Sequence, residues 1–183
     1  MLPSVVSART PHLRPLNPAS AEEVELVAQR MRQTLVEVLG EEAGTALYSM
    51  DWLRARLLWH LDPAQCTGEV FVIQEDEGPV LGHAIVRLEK DSEGVAIGLI
   101  STIFVTPESR RRGLATQLLL HAEAWLHARG PSRTICHTAA HNQPLIRCFR
   151  QQGYAIVLHL DDMVRLAKDA PAASPAPGPG FGG

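Results

Sequence analysis

The sequence has few of the features that mark secreted, membrane-spanning or nucleic-acid-binding proteins. Its 183 residues include three cysteines, none in a Cys-x-x-Cys pair, which favours reduced thiols in a cytoplasm over a disulfide framework. No apolar run approaches the roughly 20 residues of a membrane helix. The N-terminal segment lacks the basic and then apolar pattern of a signal peptide. The formal charge of −3 gives no general attraction to nucleic acid or anionic lipid.

The most informative stretch runs from residue 97 to residue 129. It begins with an apolar run, 97–105, of the right length for one strand buried on both faces. Pro107 cannot extend a strand ladder, so the strand should end before it. Three arginines and Gly113 follow, and then a helical pattern that Gly130-Pro131 stops. We expect the buried helix positions to be Leu114, Leu118, Ala122, Trp125 and Leu126, and the water-facing ones to be Gln117, His121 and Glu123.

This strand, turn and helix together predict an anion-binding site. The first turn of a helix has free N–H groups and the positive end of the helix dipole. Gly113 and Ala115 are small enough for a ligand to approach the backbone closely. No P-loop lysine-serine pair is present, which argues against a nucleotide-binding domain built on the same elements.

Two motifs in this region resemble those of the GNAT superfamily of N-acetyltransferases. Arg110-x-x-Gly113-x-Ala115 is similar to its pyrophosphate-binding signature, Q/R-x-x-G-x-G/A. Further on, Asn142, Phe149 and Gly153-Tyr154 fit the pattern N-x6-F/Y-x3-G-F/Y, about one strand–helix–strand unit later. The resemblance covers about residues 13–168 and is strongest over residues 97–154.

The pattern of elements agrees with the fold that this resemblance implies. We expect one domain, residues 13–168, between a loose leader (1–12) and a Pro/Ala/Gly-rich tail (169–183) that is disordered. The predicted fold is α/β (α+β): a mixed sheet of about six to seven strands flanked by about four helices, with two central parallel strands that splay apart. The first helix is expected to end at Gly40. The second helix is expected to span Ala46–Leu61.

The resemblance implies acetyl-CoA as co-substrate and no metal. Backbone groups of three strand residues would pair with the pantetheine amides as an added strand does. The loop Arg110–Thr116 would bind the pyrophosphate, although at least one of its arginines is expected to be only a solvated surface residue. Asn142 would reach the pantetheine arm, cap its helix, or do both. The implied cofactor-binding residues are Ile103, Phe104, Val105, Arg110, Arg111, Arg112, Gly113, Leu114, Ala115, Thr116, Asn142 and Phe149.

The implied reaction is attack of an amine on the acetyl thioester in a ternary complex. Many GNAT relatives have a tyrosine at the seventh place after the asparagine, where it protonates the leaving thiolate. This sequence has Phe149 there. A thiol with a pKa near 8.5 leaves acceptably as thiolate. The phenylalanine therefore removes the usual proton donor but does not exclude the reaction.

His137 is the preferred candidate for the general base, because the central strand 97–105 contains no carboxylate or imidazole. It lies near the end of a strand predicted to run parallel to that central strand. A register slip of one residue would bury His137 and present Cys136 or Thr138 instead. Other positions that could approach a substrate are Glu89, Asp51 and His60. Cys148 is interpreted as a core residue, and the spacing of Cys136, His137 and His141 is poor for zinc.

The acceptor is left open by the sequence. Seven acidic residues on the first helices would suit a cationic amine, but they also fit an ordinary solvated face: Glu22, Glu23, Glu25, Glu37, Glu41, Glu42 and Asp51. A small molecule or a protein amine is therefore expected as partner, with no nucleic acid and no membrane, and a homodimer is compatible with the sequence. The alternative function is a non-catalytic acyl-CoA-binding module that keeps the cofactor site.

Overall fold

The computed structural model describes residues 10–171. Most of the expected leader and tail therefore lies outside the described residues. The chain forms five α-helices and seven strands over this range. The helices are α1 (Ala21–Leu39), α2 (Glu41–Ala46), α3 (Met50–Leu61), α4 (Leu114–His127) and α5 (Gln143–Gln151). The strands are β1 (Pro11–Pro15), β2 (Gly68–Glu75), β3 (Val80–Lys90), β4 (Ala96–Val105), β5 (Arg133–Ala139), β6 (Ala155–Leu160) and β7 (Met163–Asp169).

All seven strands belong to one mixed sheet in the order β1-β2-β3-β4-β5-β7-β6. β1 to β4 pair antiparallel in sequence, and helix α4 then carries the chain to β5, which is parallel to β4. Such a crossover is needed because two parallel neighbours cannot be joined by a tight turn. The predicted fold class is confirmed.

The number of helices was underestimated because the segment after Gly40 divides into two. Gly40 has a φ of +86° and ends α1, and the six-residue α2 begins directly after it. α3 then starts at Met50, where the hydroxyl of Ser49 accepts a hydrogen bond from the N–H of Trp52. A serine N-cap satisfies one of the free N–H groups of a new helix. The helix that was predicted to begin at Ala46 is therefore α3, which begins at Met50.

The helices cover the two faces of the sheet and so divide the core into layers. α1 and α3 pack on one face, where Val27 and Leu57 meet Val70 and Ile85. α4 and α5 pack on the other face, and their buried side chains meet β2, β3, β4 and β5. The largest cluster lies on this second face and comprises Phe71, Val86, Ile100, Leu119, Ala122, Leu126, Cys136, Ile146, Phe149, Tyr154, Val164 and Leu166.

The prediction for Glu123 was wrong, because its side chain is buried. It lies on the sheet-facing side of α4, where its carboxylate accepts a hydrogen bond of 2.9 Å from Lys168 of β7. Glu123 was predicted to face water because it is charged and lies outside the apolar stripe of the helix. A buried carboxylate requires a partner, and the partner lies 45 residues away in sequence.

None of the helices within residues 10–171 is both long enough and apolar enough to cross a membrane.

Candidate active site

The centre of the sheet opens between the two parallel strands β4 and β5. They pair only at Gly98, Leu99 and Ile100, opposite Thr134, Ile135 and Cys136. From residue 101 onward β4 pairs with β3 alone. The register between β3 and β4 shifts at the same level, since Ile85 lies opposite Thr102 but Val86 lies opposite Ile100. Ser101 is therefore the extra residue of a β-bulge, which bends β4 away from β5.

Alternation along β4 decides which backbone groups face this splay. The N–H of Thr106 donates to the carbonyl of Leu81 on β3 (2.9 Å). In an antiparallel ladder, every second residue points its N–H and C=O toward the same neighbour. Phe104 therefore directs its groups to β3, and Ile103 and Val105 direct theirs into the splay. The backbone groups of Phe104 are thus engaged with β3, and the predicted contact of Phe104 with a cofactor stays a prediction.

The N-terminus of α4 stands at the open end of the splay. Gly113 is its N-cap with a φ of +76°, and no side chain caps the first turn. Arg111 also has a positive φ, +67°. A Cβ built on Gly113 would meet no atom within 4 Å, so the space above this backbone is open. The first N–H groups of α4 thus lie at an accessible, positively polarised surface.

The three arginines of this loop have different environments. Arg110 donates to the carbonyl of Val105 (2.9 Å) and forms an ion pair with Glu37 of α1 (3.0 Å). Arg112 forms an ion pair with Glu75 (3.0 Å). Within residues 10–171, no carboxylate lies within 4 Å of the Arg111 guanidinium. Arg111 is therefore the arginine best placed to meet a phosphate without first breaking an ion pair.

The residues of the second sequence motif, Asn142 and Phe149, make contacts that stabilise the fold around the site. Asn142 caps α5, since its side chain accepts from the N–H of Leu145 (3.4 Å), and it donates to the hydroxyl of Thr138 (3.1 Å). Phe149 is 0% exposed and packs against Tyr154, with ring centroids 4.8 Å apart. A fully buried ring presents no surface to a ligand, so the predicted direct cofactor contact of Phe149 is not supported. Leu114 is also buried and can contribute only through its backbone.

A network of polar side chains lies on the α1/α3 face beside the bulge. Arg87 of β3 donates to the Ser101 hydroxyl (2.7 Å) and pairs with Glu89. Its Nη1 is also 3.1 Å from Nε2 of His60, a buried residue of α3 whose Nδ1 is 2.7 Å from the Arg56 carbonyl. Burial lowers the pKa of His60 to about 4, so this ring is neutral at physiological pH. The network holds Ser101 where the splay begins.

His137 lies on this same face. Its neighbours Cys136 and Thr138 are buried against the α4/α5 side, and His137 itself is exposed. The register is therefore the one that the catalytic hypothesis requires. The Nε of Arg165, directly opposite on β7, donates to Nε2 of His137 (2.8 Å). Desolvation by neighbouring side chains and then the Arg165 cation lower the pKa of His137, so its ring is neutral at pH 7.

Several polar side chains beside the splay were not identified from the sequence. Arg87 and Ser101 interrupt otherwise apolar strands, and a charged or hydroxyl residue at such a position is a signal that could have been used. Arg165 gives no local signal, since its role depends on the pairing of β7 with β5.

Four of the seven acidic residues of the first helices form ion pairs, which three arginines provide. Glu23 pairs with Arg14, and both Glu25 and Asp51 pair with Arg54. Glu37 pairs with Arg110, as described above. Exposed ion pairs of this kind cancel local charge. The argument for a cationic acceptor is correspondingly weaker than the sequence suggested.

The described residues contain no group of three histidine, cysteine or acidic side chains arranged to hold a metal ion. Cys136 is fully buried, and burial raises the pKa of its thiol to about 12. It is an unreactive core residue.

His83 lies beneath the end of β4 and gives a testable pH dependence. It is fully buried, stacks on Phe104 with a centroid distance of 5.6 Å, and has no hydrogen-bond partner within residues 10–171. Burial and then the Arg30 cation lower its pKa to about 3. The unfolded chain, with a histidine pKa near 6.5, therefore binds the proton more readily, and the stability that neutral His83 allows is lost as the pH falls from about 6.5 toward 3.

Replacing His83 with phenylalanine should flatten this acid destabilisation. We expect the free energy of unfolding between pH 7.5 and pH 5 to fall by ~2 kcal/mol less in His83→Phe than in the wild type, at ~1.4 kcal/mol per pH unit below pH 6.5. Denaturant unfolding at the two pH values measures this difference. His127→Gln removes a less buried histidine and serves as control. Equal pH dependence of wild type and His83→Phe would show that His83 is protonated in the folded state.

Comparison with known proteins agrees with this geometry. A sequence profile described as the acetyltransferase (GNAT) family matches residues 29–154. A search of curated proteins finds no significant match. Among solved structures, the PaiA N-acetyltransferase of Thermoplasma acidophilum in complex with coenzyme A has a TM-score of 0.70 at 12% identity, covering 88% of this chain and 99% of that one.

Two further structures show the same fold at low identity. Spermidine N-acetyltransferase from Vibrio cholerae, in complex with CoA and spermine, has a TM-score of 0.64 at 17% identity and covers 87% of this chain and 95% of that one. The NatC complex bound to Gag peptide and CoA contains a chain with a TM-score of 0.66 at 13% identity, covering 88% of this chain and 99% of that one. The family profile spans more than half of the sequence and includes both motifs, the splay and the start of α4. The protein therefore belongs to the GNAT family of acetyltransferases.

Proposed function

We propose that this protein is an acetyl-CoA-dependent N-acetyltransferase that transfers the acetyl group directly to an amine in a ternary complex. The observation that supports this most strongly is the splay. The parallel pairing of β4 and β5 stops at Ile100, a bulge follows at Ser101, and the uncapped end of α4 stands at the open end. An extended thiol arm fits along β4, with its phosphates at α4. Family membership and the CoA bound in three structures of the same fold are consistent with this proposal.

Each part of the cofactor site has a physical role in this proposal. Acetyl-CoA supplies the activated acetyl thioester. The carbonyl of Ile103 and the backbone groups of Val105 pair with the amides of the pantetheine arm. The N–H groups from Arg111 to Thr116 bind the pyrophosphate, and the Arg111 guanidinium adds charge-assisted hydrogen bonds. The N–H of Ile103, which points into the splay, is the candidate donor to the oxyanion.

His137 is proposed as the general base. It stands one residue beyond the last paired residue of β5, level with the bulge, and its ring is neutral at pH 7. As the amine nitrogen bonds to the carbonyl carbon, the amine proton passes to His137 directly or through water, the C–S bond breaks and CoA leaves as thiolate. Glu89 is the weaker candidate because Arg87 already holds its carboxylate in an ion pair.

Amine-dependent thiol release tests the proposed function. The protein is mixed with acetyl-CoA and a panel of primary amines, amino acids and peptides with free N-termini, and free thiol and acetylated product are measured. We expect release with at least one class of amine, above the rate without amine. Tight acetyl-CoA binding with no amine-dependent release across the panel would contradict the enzyme proposal and favour the non-catalytic acyl-CoA-binding module.

A further inference from the structure

Two arginines from separate strands lie on the acceptor side of the splay. Arg87 lies on β3 and Arg165 on β7. Arg165 contacts His137, and Arg87 contacts Ser101 at the bulge, so both lie beside the position proposed for the thioester. They are far apart in sequence and are brought to this site only by the fold.

The two arginines differ in how their charge is paired. Arg87 forms an ion pair with Glu89, whereas no carboxylate within residues 10–171 lies within 4 Å of the Arg165 guanidinium. The ring of His137, which Arg165 contacts, is neutral at pH 7. The Arg165 cation can therefore draw an anion.

Arg165 is the one of these two arginines that has unused donors. Arg87 donates to Glu89, Ser101 and His60, so its donors are committed. Arg165 uses Nε on His137, and its two terminal nitrogens make no hydrogen bond within residues 10–171. These terminal N–H groups can donate to a ligand.

We infer that the acceptor amine also carries a carboxylate, as a free amino acid does, and that Arg165 binds this carboxylate. This inference rests on the proposed function and names the class of its acceptor. A guanidinium presents paired N–H donors that match the two oxygens of a carboxylate. An amine without an anionic group would instead meet unpaired positive charge at the site.

The same contact has a consequence for the proposed base. In the structure, the Nε–H of Arg165 occupies Nε2 of His137, the nitrogen that must accept the proton. A carboxylate that draws Arg165 toward itself leaves Nε2 of His137 free. Recognition of the acceptor and release of the base are thereby linked through one side chain.

Equilibrium binding tests the inference without depending on turnover. N-acetylamino acids with small, aliphatic, aromatic and acidic side chains are titrated into the protein with CoA present, and each is compared with its primary amide by calorimetry. We expect at least one acid to bind at least tenfold more tightly than its amide. Arg165→Gln should reduce that preference by at least threefold. The control Arg147→Gln, which removes an exposed arginine of α5 on the opposite face, should not change it.

Turnover of free amino acids and amino-acid amides then separates recognition from an effect on His137. If Arg165 binds the carboxylate, Arg165→Gln raises KM for the amino acid at least threefold more than it raises KM for the amide, whatever change in kcat the two acceptors share. If Arg165 acts only as a positioning residue for His137, kcat changes for both acceptors alike with no such difference in KM, and the inference is overturned.

The two proposals fail in distinguishable ways. Amides that bind as well as acids, or no binding of either, overturn the carboxylate inference, while release of thiol with other amines leaves the acetyltransferase proposal intact. Selective binding of the acids with no thiol release supports the carboxylate site and contradicts the enzyme proposal.

Discussion

Replacing Gly113 with valine is expected to lower acetyl-CoA affinity about a hundredfold or more while the protein stays folded. A phosphate must approach the backbone closely to reach the first N–H groups of α4, and the space above Gly113 is open for it. A valine side chain would occupy that space. Loss of two charge-assisted hydrogen bonds, at ~1.5–3 kcal/mol each, accounts for an effect of this size. Isothermal titration calorimetry with acetyl-CoA measures it.

Gly130 provides a matched control for this experiment. It follows the other end of α4, has a φ of +74°, and a Cβ built on it also meets nothing within 4 Å. Gly113→Val and Gly130→Val therefore have the same backbone cost of placing a side chain in the left-handed region, ~1–2 kcal/mol. We expect similar losses of stability and normal acetyl-CoA affinity in Gly130→Val. Unchanged affinity in folded Gly113→Val would show that the pyrophosphate binds elsewhere.

Replacing His137 with alanine is expected to lower kcat at least tenfold without changing acetyl-CoA affinity. General bases contribute about 10²–10⁴ in rate, and water can replace part of that. Desolvation and Arg165 lower the pKa of His137 below its ordinary value near 6.5. Activity should therefore fall below that pH in the wild type, as the ring becomes protonated, and this acidic limb of the pH–rate profile should flatten in His137→Ala.

Two controls distinguish this role from its alternatives. His141→Ala removes an exposed imidazole in the turn after β5 and should leave kcat and the pH profile unchanged. Glu89→Gln tests the competing carboxylate, and if Glu89 were the base, that substitution would abolish the acidic limb while His137→Ala retained it. A His137→Ala protein that loses activity only in proportion to its stability would make His137 a structural residue.

The cofactor end of the site could be predicted from sequence because its signals are local. Pro107 ends a strand, Gly113 permits a left-handed backbone, and a helical pattern starts at once, all within one short stretch. The chemistry of a helix N-terminus depends on consecutive backbone groups, so no distant contact is needed to recognise it. The order of the strands likewise followed from the hydrophobic pattern and the crossover.

The acceptor end could not be predicted because its chemistry depends on contacts between distant segments. Counting charges along the first helices suggested an acidic surface, but the fold pairs four of those seven carboxylates with Arg14, Arg54 and Arg110. The bulge at Ser101 has no sequence signature beyond a hydroxyl residue in an apolar run. Arg165 becomes part of the site only because β7 pairs with β5 in a register that sets it against His137.

The sequence by itself thus determined the family, the order of strands and helices, and the loop that meets the phosphates, because each is encoded by residues adjacent in the chain. Only the tertiary structure decided which side chains line the acceptor side of the splay. In a strand, a shift of one residue exchanges the two faces, so the pairing register placed His137 on the open face and left Cys136 and Thr138 in the core. The same pairing brought Arg87 and Arg165, which are far apart in sequence, to opposite sides of one opening in the sheet.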